Sequence, residues 1–136
     1  MDDSLSDGFR AVARRMREAA REALAPWDVT PAQARALGTL LRSGPLRLGD
    51  LADALRIAPR SATEVVDALE GRGLVERGPD PADRRATLVA PTERGREVGE
   101  AIRAARAAEA ESVFRPLSDD DRASLARILR ALTPPP

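Results

Sequence analysis

The 136-residue sequence predicts a mainly α-helical fold with a small β-wing: a winged helix-turn-helix flanked by further helices at both ends. Three observations lead to this prediction. Apolar residues recur at helical spacing over most of the chain. Two short helical patterns follow each other across a link of only three residues, 56–58. Two β-prone runs come directly afterwards, on either side of a turn rich in Gly, Pro and Asp.

The first predicted helix covers residues 5–25 and ends at Pro26. One face is apolar, and the other carries arginines interleaved with Glu18 and Glu22. The apolar stripe, spaced by three and four residues, consists of Leu5, Phe9, Val12, Met16, Ala20 and Ala23.

A second helix begins after Thr30, a good N-cap, with Pro31 at the first helical position, where its missing N–H costs nothing. The segment "RSGP" at 42–45 ends it. Its apolar side is formed by Ala34, Leu37, Leu40 and Leu41.

The tandem pair of helices follows. Pro59 marks the start of its second helix, and Gly71 or Gly73 can take the left-handed conformation that ends it. The expected inward residues are Leu51, Ala54 and Leu55 in the first helix and Ala62, Val65, Val66 and Leu69 in the second.

A β-hairpin is predicted from the runs "LVER" (74–77) and "ATLVA" (86–90). The eight residues between them, 78–85, would form a loop longer than the commonest hairpin loops, and long loops are often functional. The segment "PLRL" at 45–48 is a candidate third strand.

Two helices complete the chain. Thr92 opens a long one that runs to about residue 114, with an alanine-rich stripe that lets a partner approach closely. The last is capped by Ser118 or Asp119. It presents Leu125, Ile128, Leu129 and Leu132 on one side.

Composition excludes several classes of function. The chain has no cysteine and no histidine, so thiolate metal sites, thiol catalysis and histidine-based acid–base chemistry are absent. We therefore predict no catalytic residue, no metal and no cofactor.

The net charge is zero, but all 22 basic residues are arginines, whose planar forks suit phosphates and base edges. No apolar run could span a membrane and no signal peptide is recognisable, so the expected location is the cytoplasm.

At this point the sequence resembles the MarR family of bacterial transcription regulators. The resemblance is carried by "VTPAQARAL", by "LADALRIAPRSATEVVDALEGRGLVER" and by "DPADRRATLVAPTERGR". The last is the most specific, with Asp83 and Arg85 in an Asp-x-Arg pattern ahead of Thr92 and Gly95. The resemblance extends over essentially the whole chain.

The resemblance implies a homodimer that binds double-stranded DNA. Residues 1–28 would be an N-terminal dimerisation helix, 29–91 the winged DNA-binding domain and 92–136 the C-terminal dimerisation helices. A two-fold dimer sets its recognition helices about one DNA turn apart and predicts a pseudo-palindromic operator. The resemblance further implies a cleft for a small lipophilic or phenolic effector, near Phe9, Met16, Trp27, Leu37 and Leu40.

The second helix of the pair is the expected recognition helix, which reads bases mainly with its N-terminal residues. Arg60 can donate two hydrogen bonds to guanine O6 and N7, and Glu64 can accept a hydrogen bond from cytosine N4. The candidate contacts are Pro59, Arg60, Ser61, Thr63 and Glu64. Asp67 and Glu70 would repel phosphates, so we expect them to face away or to pair with Arg56 or Arg72.

In the wing, Arg85 is the predicted minor-groove probe and Arg84 a phosphate contact. Asp80 and Asp83 are expected to stabilise the wing by capping backbone N–H groups or orienting an arginine. Arg47 and Arg77, near strand ends, are weaker phosphate candidates.

Two other functions compete with DNA binding. A winged-helix module can instead bind another protein, but the presumed outer face is polar and arginine-tipped rather than apolar. An enzyme would need a carboxylate pair in a cleft, and "SDDD" at 118–121 is better explained as a helix N-cap with acids that favour the helix dipole.

Overall fold

The computed structural model describes residues 4–135, which form six α-helices and one three-stranded antiparallel sheet. The sheet has the strand order β1-β3-β2, so the hairpin strand β2 lies at one edge. The helices are α1 (Leu5–Leu24), α2 (Pro31–Ser43), α3 (Leu48–Leu55), α4 (Pro59–Gly71), α5 (Glu93–Phe114) and α6 (Asp119–Leu132). The strands are β1 (Leu46–Arg47), β2 (Val75–Asp80) and β3 (Asp83–Pro91), and Ala25–Trp27 form a 3-10 turn.

The predicted caps set the ends of these helices. Thr30 forms a complete capping box with Gln33 at the start of α2. Ser118, rather than Asp119, caps α6 by accepting from the Asp121 N–H. At the end of α4, Gly73 and not Gly71 has the positive φ, 73°. The N–H groups of Gly73 and Leu74 then bond back to Glu70 and Leu69, which is a Schellman motif.

The core lies where α2, α3 and α4 pack against the sheet and the first half of α5. Its largest fully buried side chains are Leu37, Leu40, Leu51, Leu69, Val66, Val75 and Val89. One expected inward residue is wrong, because Ala54 is exposed and Ala52 is the buried alanine of α3. The inner sides of α3 and α4 thus pack against this core, and the outer face of α4 stays exposed.

The predicted eight-residue wing loop is also wrong. The strands continue to Asp80 and resume at Asp83, so only residues 81 and 82 form the turn. Gly78 and Pro79 were expected in a loop, but Pro79 lies in an edge strand, where proline is tolerated. We call the β2–β3 hairpin the wing.

The base of the wing is joined directly to α5. The Thr92 hydroxyl donates to the Gly73 carbonyl at 2.6 Å and accepts from the Gly95 N–H at 3.0 Å. The Thr92 N–H donates to the Leu74 carbonyl at 3.1 Å. Gly95 packs so closely on Leu74 that a β-carbon there would overlap the Leu74 carbonyl oxygen. The sequence "TERG" therefore fixes the wing relative to the long helix.

The terminal helices leave an apolar surface uncovered. All the large exposed hydrophobic side chains among the described residues lie on α1 and α6, and α6 has no buried residue. They are Leu5, Phe9, Val12, Met16, Ile128, Leu129 and Leu132, which we call the terminal apolar face.

Within residues 4–135, none of the helices combines the length and apolar character that a membrane crossing requires.

Candidate nucleic-acid interface

The predicted recognition helix, α4, presents a polar first turn. Ala58 supplies no side-chain cap, and Pro59 occupies the first turn. Arg60, Ser61 and Glu64 are exposed, and within residues 4–135 their side chains form no hydrogen bond to another side chain or to the backbone. Thr63 is half-buried and donates to the Pro59 carbonyl at 3.0 Å. The free donors and acceptors are therefore those of Arg60, Ser61 and Glu64.

A β-bulge shapes the wing tip. Asp80, at the end of β2, pairs with Asp83, but the preceding residue, Pro79, pairs with Thr87. Three residues of β3, numbers 84–86, therefore have no partner across the hairpin, and bulges of this kind re-aim side chains. The bulge includes both predicted wing arginines, Arg84 and Arg85, and both are exposed.

Two aspartates hold this tip. The Asp83 carboxylate accepts from the Arg85 N–H at 3.0 Å, which bends the chain at the start of the bulge. Asp80, only 9% exposed, accepts from the Ala82 N–H at 2.9 Å across the turn. Its other oxygen accepts from Arg47 Nε and Nη2 at 3.0 and 2.8 Å.

The Ala82 N–H and the Arg47 guanidinium hold the pKa of Asp80 below its usual value. The carboxylate is consequently ionised at neutral pH, and the wing tip stays linked to β1 through Arg47.

Arg77 lies on β2 and binds two carboxylates of α4. Its Nη2 donates to Asp67 Oδ1 at 2.6 Å, and its Nη1 donates to Glu70 Oε1 at 2.8 Å. The expectation that Asp67 and Glu70 pair with Arg56 or Arg72 is therefore wrong. Neighbouring turns of α4 place both acids on the flank that faces the wing, a proximity that no local pattern encodes.

Arg72 has a different role. It donates to the carbonyl oxygens of Trp27 and Asp28 at 2.7 and 2.5 Å, and so ties the end of α4 to the α1–α2 junction.

The five arginines proposed as DNA contacts thus fall into two groups. Arg60, Arg84 and Arg85 are exposed and have no carboxylate partner among the described residues. Arg47 and Arg77 are each engaged by two carboxylates. Among these five, the arginines that keep a guanidinium without a carboxylate partner within residues 4–135 therefore lie at the start of α4 and at the wing tip.

A cavity of about 460 Å³ lies between α2 and α5. Apolar side chains such as Leu41 and Ile102 form part of its wall, and it is also lined by Arg35, Arg42, Arg103 and Arg106. Arg35 is bonded to the Leu55 carbonyl and Arg103 to Glu100. The Arg106 Nε is buried without a partner among the described residues.

Of the predicted effector residues, only Leu37 lines this cavity. Leu40 is fully buried in the core, while Phe9 and Met16 belong to the exposed terminal apolar face. Trp27 packs against the core, and its indole Nε1 is buried without a partner. The arginines that line the cavity were not predicted as effector residues. The sequence did indicate part of this wall, because Arg35 and Arg42 are seven residues apart and share one face of α2.

Comparisons with known proteins agree with this geometry. The MarR family model matches residues 29–87. YsmB of Bacillus subtilis (strain 168), an HTH-type transcriptional regulator, is 26% identical over 128 residues, covering 94% of this chain and 88% of YsmB. MdtR, an HTH-type transcriptional repressor of the same organism, is 26% identical over 134 residues, covering 96% of this chain and 86% of MdtR.

The fold is shared with solved structures as well. A MarR family protein from Bacillus stearothermophilus is 30% identical, with a TM-score of 0.79 over 94% of this chain and 89% of that one. The six helices and the three-stranded sheet described above match MarR winged-helix structures. The chain therefore belongs to the MarR family and is a DNA-binding transcriptional regulator with a winged helix-turn-helix.

Proposed function

We propose that the protein is a cytoplasmic, homodimeric repressor that binds a pseudo-palindromic operator and releases it when a small effector binds. The observation that carries the DNA-binding part is the place of three exposed arginines, Arg60 in the first turn of α4 and Arg84 and Arg85 at the wing tip, which have no carboxylate partner within residues 4–135. Repression is proposed by analogy with the relative MdtR, whose name describes it as a repressor.

In this proposal α4 enters the major groove and the wing reaches the adjacent minor groove. Arg60 forks onto a guanine, because its guanidinium is exposed at the N-terminal end of the recognition helix. Arg85 enters the minor groove, and Arg84 contacts phosphate. Pro59, Ser61, Thr63 and Glu64 complete the surface of the first turn.

The terminal apolar face supports dimerisation. A 14-residue helix such as α6 is marginal in water unless it buries an apolar side. None of its residues is fully buried against its own chain, and α1 also exposes an apolar stripe. We therefore assign residues 1–28 and 92–136 to the dimer and 29–91 to the DNA-binding domain.

The effector site is assigned to the α2–α5 cavity rather than to the five residues first considered. Its volume suits a small molecule, and its wall combines apolar side chains with arginines. The unpartnered Arg106 Nε favours a weak acid with an apolar body, such as an aromatic carboxylate or an ionised phenol. Because α5 also carries the wing base through Thr92, a ligand between α2 and α5 would reach both DNA-contacting elements.

This assignment predicts that a panel of aromatic carboxylates and phenols includes compounds that raise the thermal midpoint of the protein and lower its DNA affinity. Arg106→Ala should abolish both effects while leaving DNA binding without ligand within about twofold, because the Arg106 Nε has no hydrogen-bond partner to lose within residues 4–135. Arg115→Ala, an exposed change further along the chain outside this cavity, is the control. An active compound that is insensitive to Arg106→Ala would place the site elsewhere.

The proposed function is tested by selecting binding sites from random duplex DNA with the purified protein. We expect an inverted repeat whose half-sites are centred about 10 base pairs apart or a multiple of this, and two chains per duplex. The logarithm of the affinity should fall linearly with the logarithm of the salt concentration. Recovering no enriched sequence would instead favour a winged-helix module that binds another protein.

A further inference from the structure

We infer that Arg77 is a positioning residue that sets the wing against the recognition helix, and that it does not contact DNA. It is the residue through which β2 and α4, the two elements proposed to enter neighbouring grooves, are joined by charged hydrogen bonds. The inference rests on the proposed placement of α4 and the wing on DNA.

The geometry uses both arms of the guanidinium. Nη2 binds Asp67 and Nη1 binds Glu70, at 2.6 and 2.8 Å, so the two acids occupy both ends of the fork. The Arg77 side chain is only 28% exposed, against 62% and 43% for the two acids. A phosphate would have to displace a carboxylate from a pair that is already satisfied.

The position of Arg77 in the sheet gives this link its effect. Arg77 is paired across the hairpin with Val89, which is buried at 1% exposure in the core. The same strand continues for three residues to Asp80, the aspartate that holds the wing tip. A small rotation of β2 about its base would therefore displace Arg84 and Arg85, and misplacing several contacts at once weakens binding.

The acids Asp67 and Glu70 have an otherwise unexplained place on a DNA-binding helix. Two carboxylates near the phosphate backbone weaken binding unless something else depends on them. As anchors for Arg77 they orient the wing, and the guanidinium between them offsets one of their two negative charges.

The two explanations of Asp67 and Glu70, as anchors for Arg77 or as charges that merely repel DNA, predict opposite changes in operator affinity for the same double substitution. If Arg77 is a positioning residue, Asp67→Asn with Glu70→Gln frees the wing and weakens operator binding by about 3- to 30-fold, the range expected for coupled charged contacts. If the acids merely repel DNA, removing two negative charges tightens binding. Fluorescence anisotropy on the selected operator, at several salt concentrations, distinguishes the two.

Matched variants complete the experiment. Glu76→Gln removes one exposed negative charge from the same strand without touching the Arg77 pairs, and it should leave binding unchanged or slightly tighter. Arg77→Gln should weaken binding to a similar extent as the double substitution, and combining all three should add little. Arg77→Lys should restore part of the affinity, because an ammonium can hold one acid but cannot fork across both.

Two readouts separate positioning from a direct contact or a loss of folding. Loss of a phosphate contact lowers the salt slope by about 0.9 per contact, whereas Arg77→Gln should leave the slope unchanged. Because Asp67 and Glu70 are largely exposed, their ion pairs with Arg77 add little to global stability, and the thermal midpoint should hardly move. If Asp67→Asn with Glu70→Gln binds as tightly as the wild type or more tightly, the inference is overturned. Failure of the wild-type protein to select any operator would refute the proposed function instead.

Discussion

Leu129→Glu is expected to turn the protein into a monomer and to weaken operator binding by at least about 100-fold. Leu129 belongs to the α6 part of the terminal apolar face, together with Ile128 and Leu132, and is 38% exposed in the single chain. A carboxylate there would have to be buried without a partner when two chains associate. Each monomer would then bind one half-site alone and lose the gain from simultaneous binding at two half-sites.

Sedimentation and operator binding should be measured on the same samples. Ala123→Glu is the matched control, since Ala123 is exposed, lies roughly 120° around α6 from Leu129, and the substitution adds the same charge. The control should remain dimeric and bind normally. A Leu129→Glu protein that still sediments as a dimer would show that the chains associate through another surface.

Gly95→Ala is expected to lower the free energy of unfolding by about 2 kcal/mol or more, the upper part of the range for overpacking a tight site. The added methyl group would overlap the Leu74 carbonyl oxygen, a backbone atom that already accepts from the Thr92 N–H. Relief requires α5 to move away from the base of the wing. We therefore expect operator affinity to fall together with stability.

Thermal unfolding tests this directly, with an expected decrease in the midpoint of roughly 5–10 °C. Gly49→Ala is the control, because Gly49 is exposed in α3 with open space around its Cα, and alanine is the better helix former. If Gly95→Ala unfolds at the wild-type temperature, the contact with Leu74 is not the reason for glycine at this position.

The elements that local chemistry specifies were predictable from the sequence. Thr30, Pro31, Pro59 and Thr92 act at helix starts where the backbone needs a cap or tolerates a missing N–H, so both the existence and the order of the helices followed. The tandem helices and the hairpin followed from the change in apolar period from about four residues to two.

The wing was predicted less well, for a physical reason. Gly78, Pro79 and Asp80 have poor strand propensity, so their sequence favours a loop. In the structure they extend β2 as an edge strand, paired with β3 and anchored by Asp80 to Arg47. Tertiary contacts override the local preference, and the resulting bulge is what exposes Arg84 and Arg85.

The arginines show the same limit. Their number was evident, but which of them carry a carboxylate partner depends on contacts between distant parts of the chain. Arg77 meets Asp67 and Glu70 only because the wing folds back beside α4, and Arg106 meets the cavity only because α5 packs on α2. The family resemblance implied an effector cleft near Phe9, Met16, Trp27, Leu37 and Leu40, whereas the polar wall of the observed cavity is made by arginines.

In the proposed complex, α4 reads bases and Arg85 of the wing reads the neighbouring minor groove. Operator selection repeated with Arg60→Ala and Arg85→Ala tests it most directly. We predict that Arg60→Ala relaxes the preference at one guanine of each half-site, at about 1–3 kcal/mol per contact. Arg85→Ala should keep that guanine and lose the preference for flanking A·T pairs. If both variants select the wild-type operator with wild-type affinity, the account is contradicted.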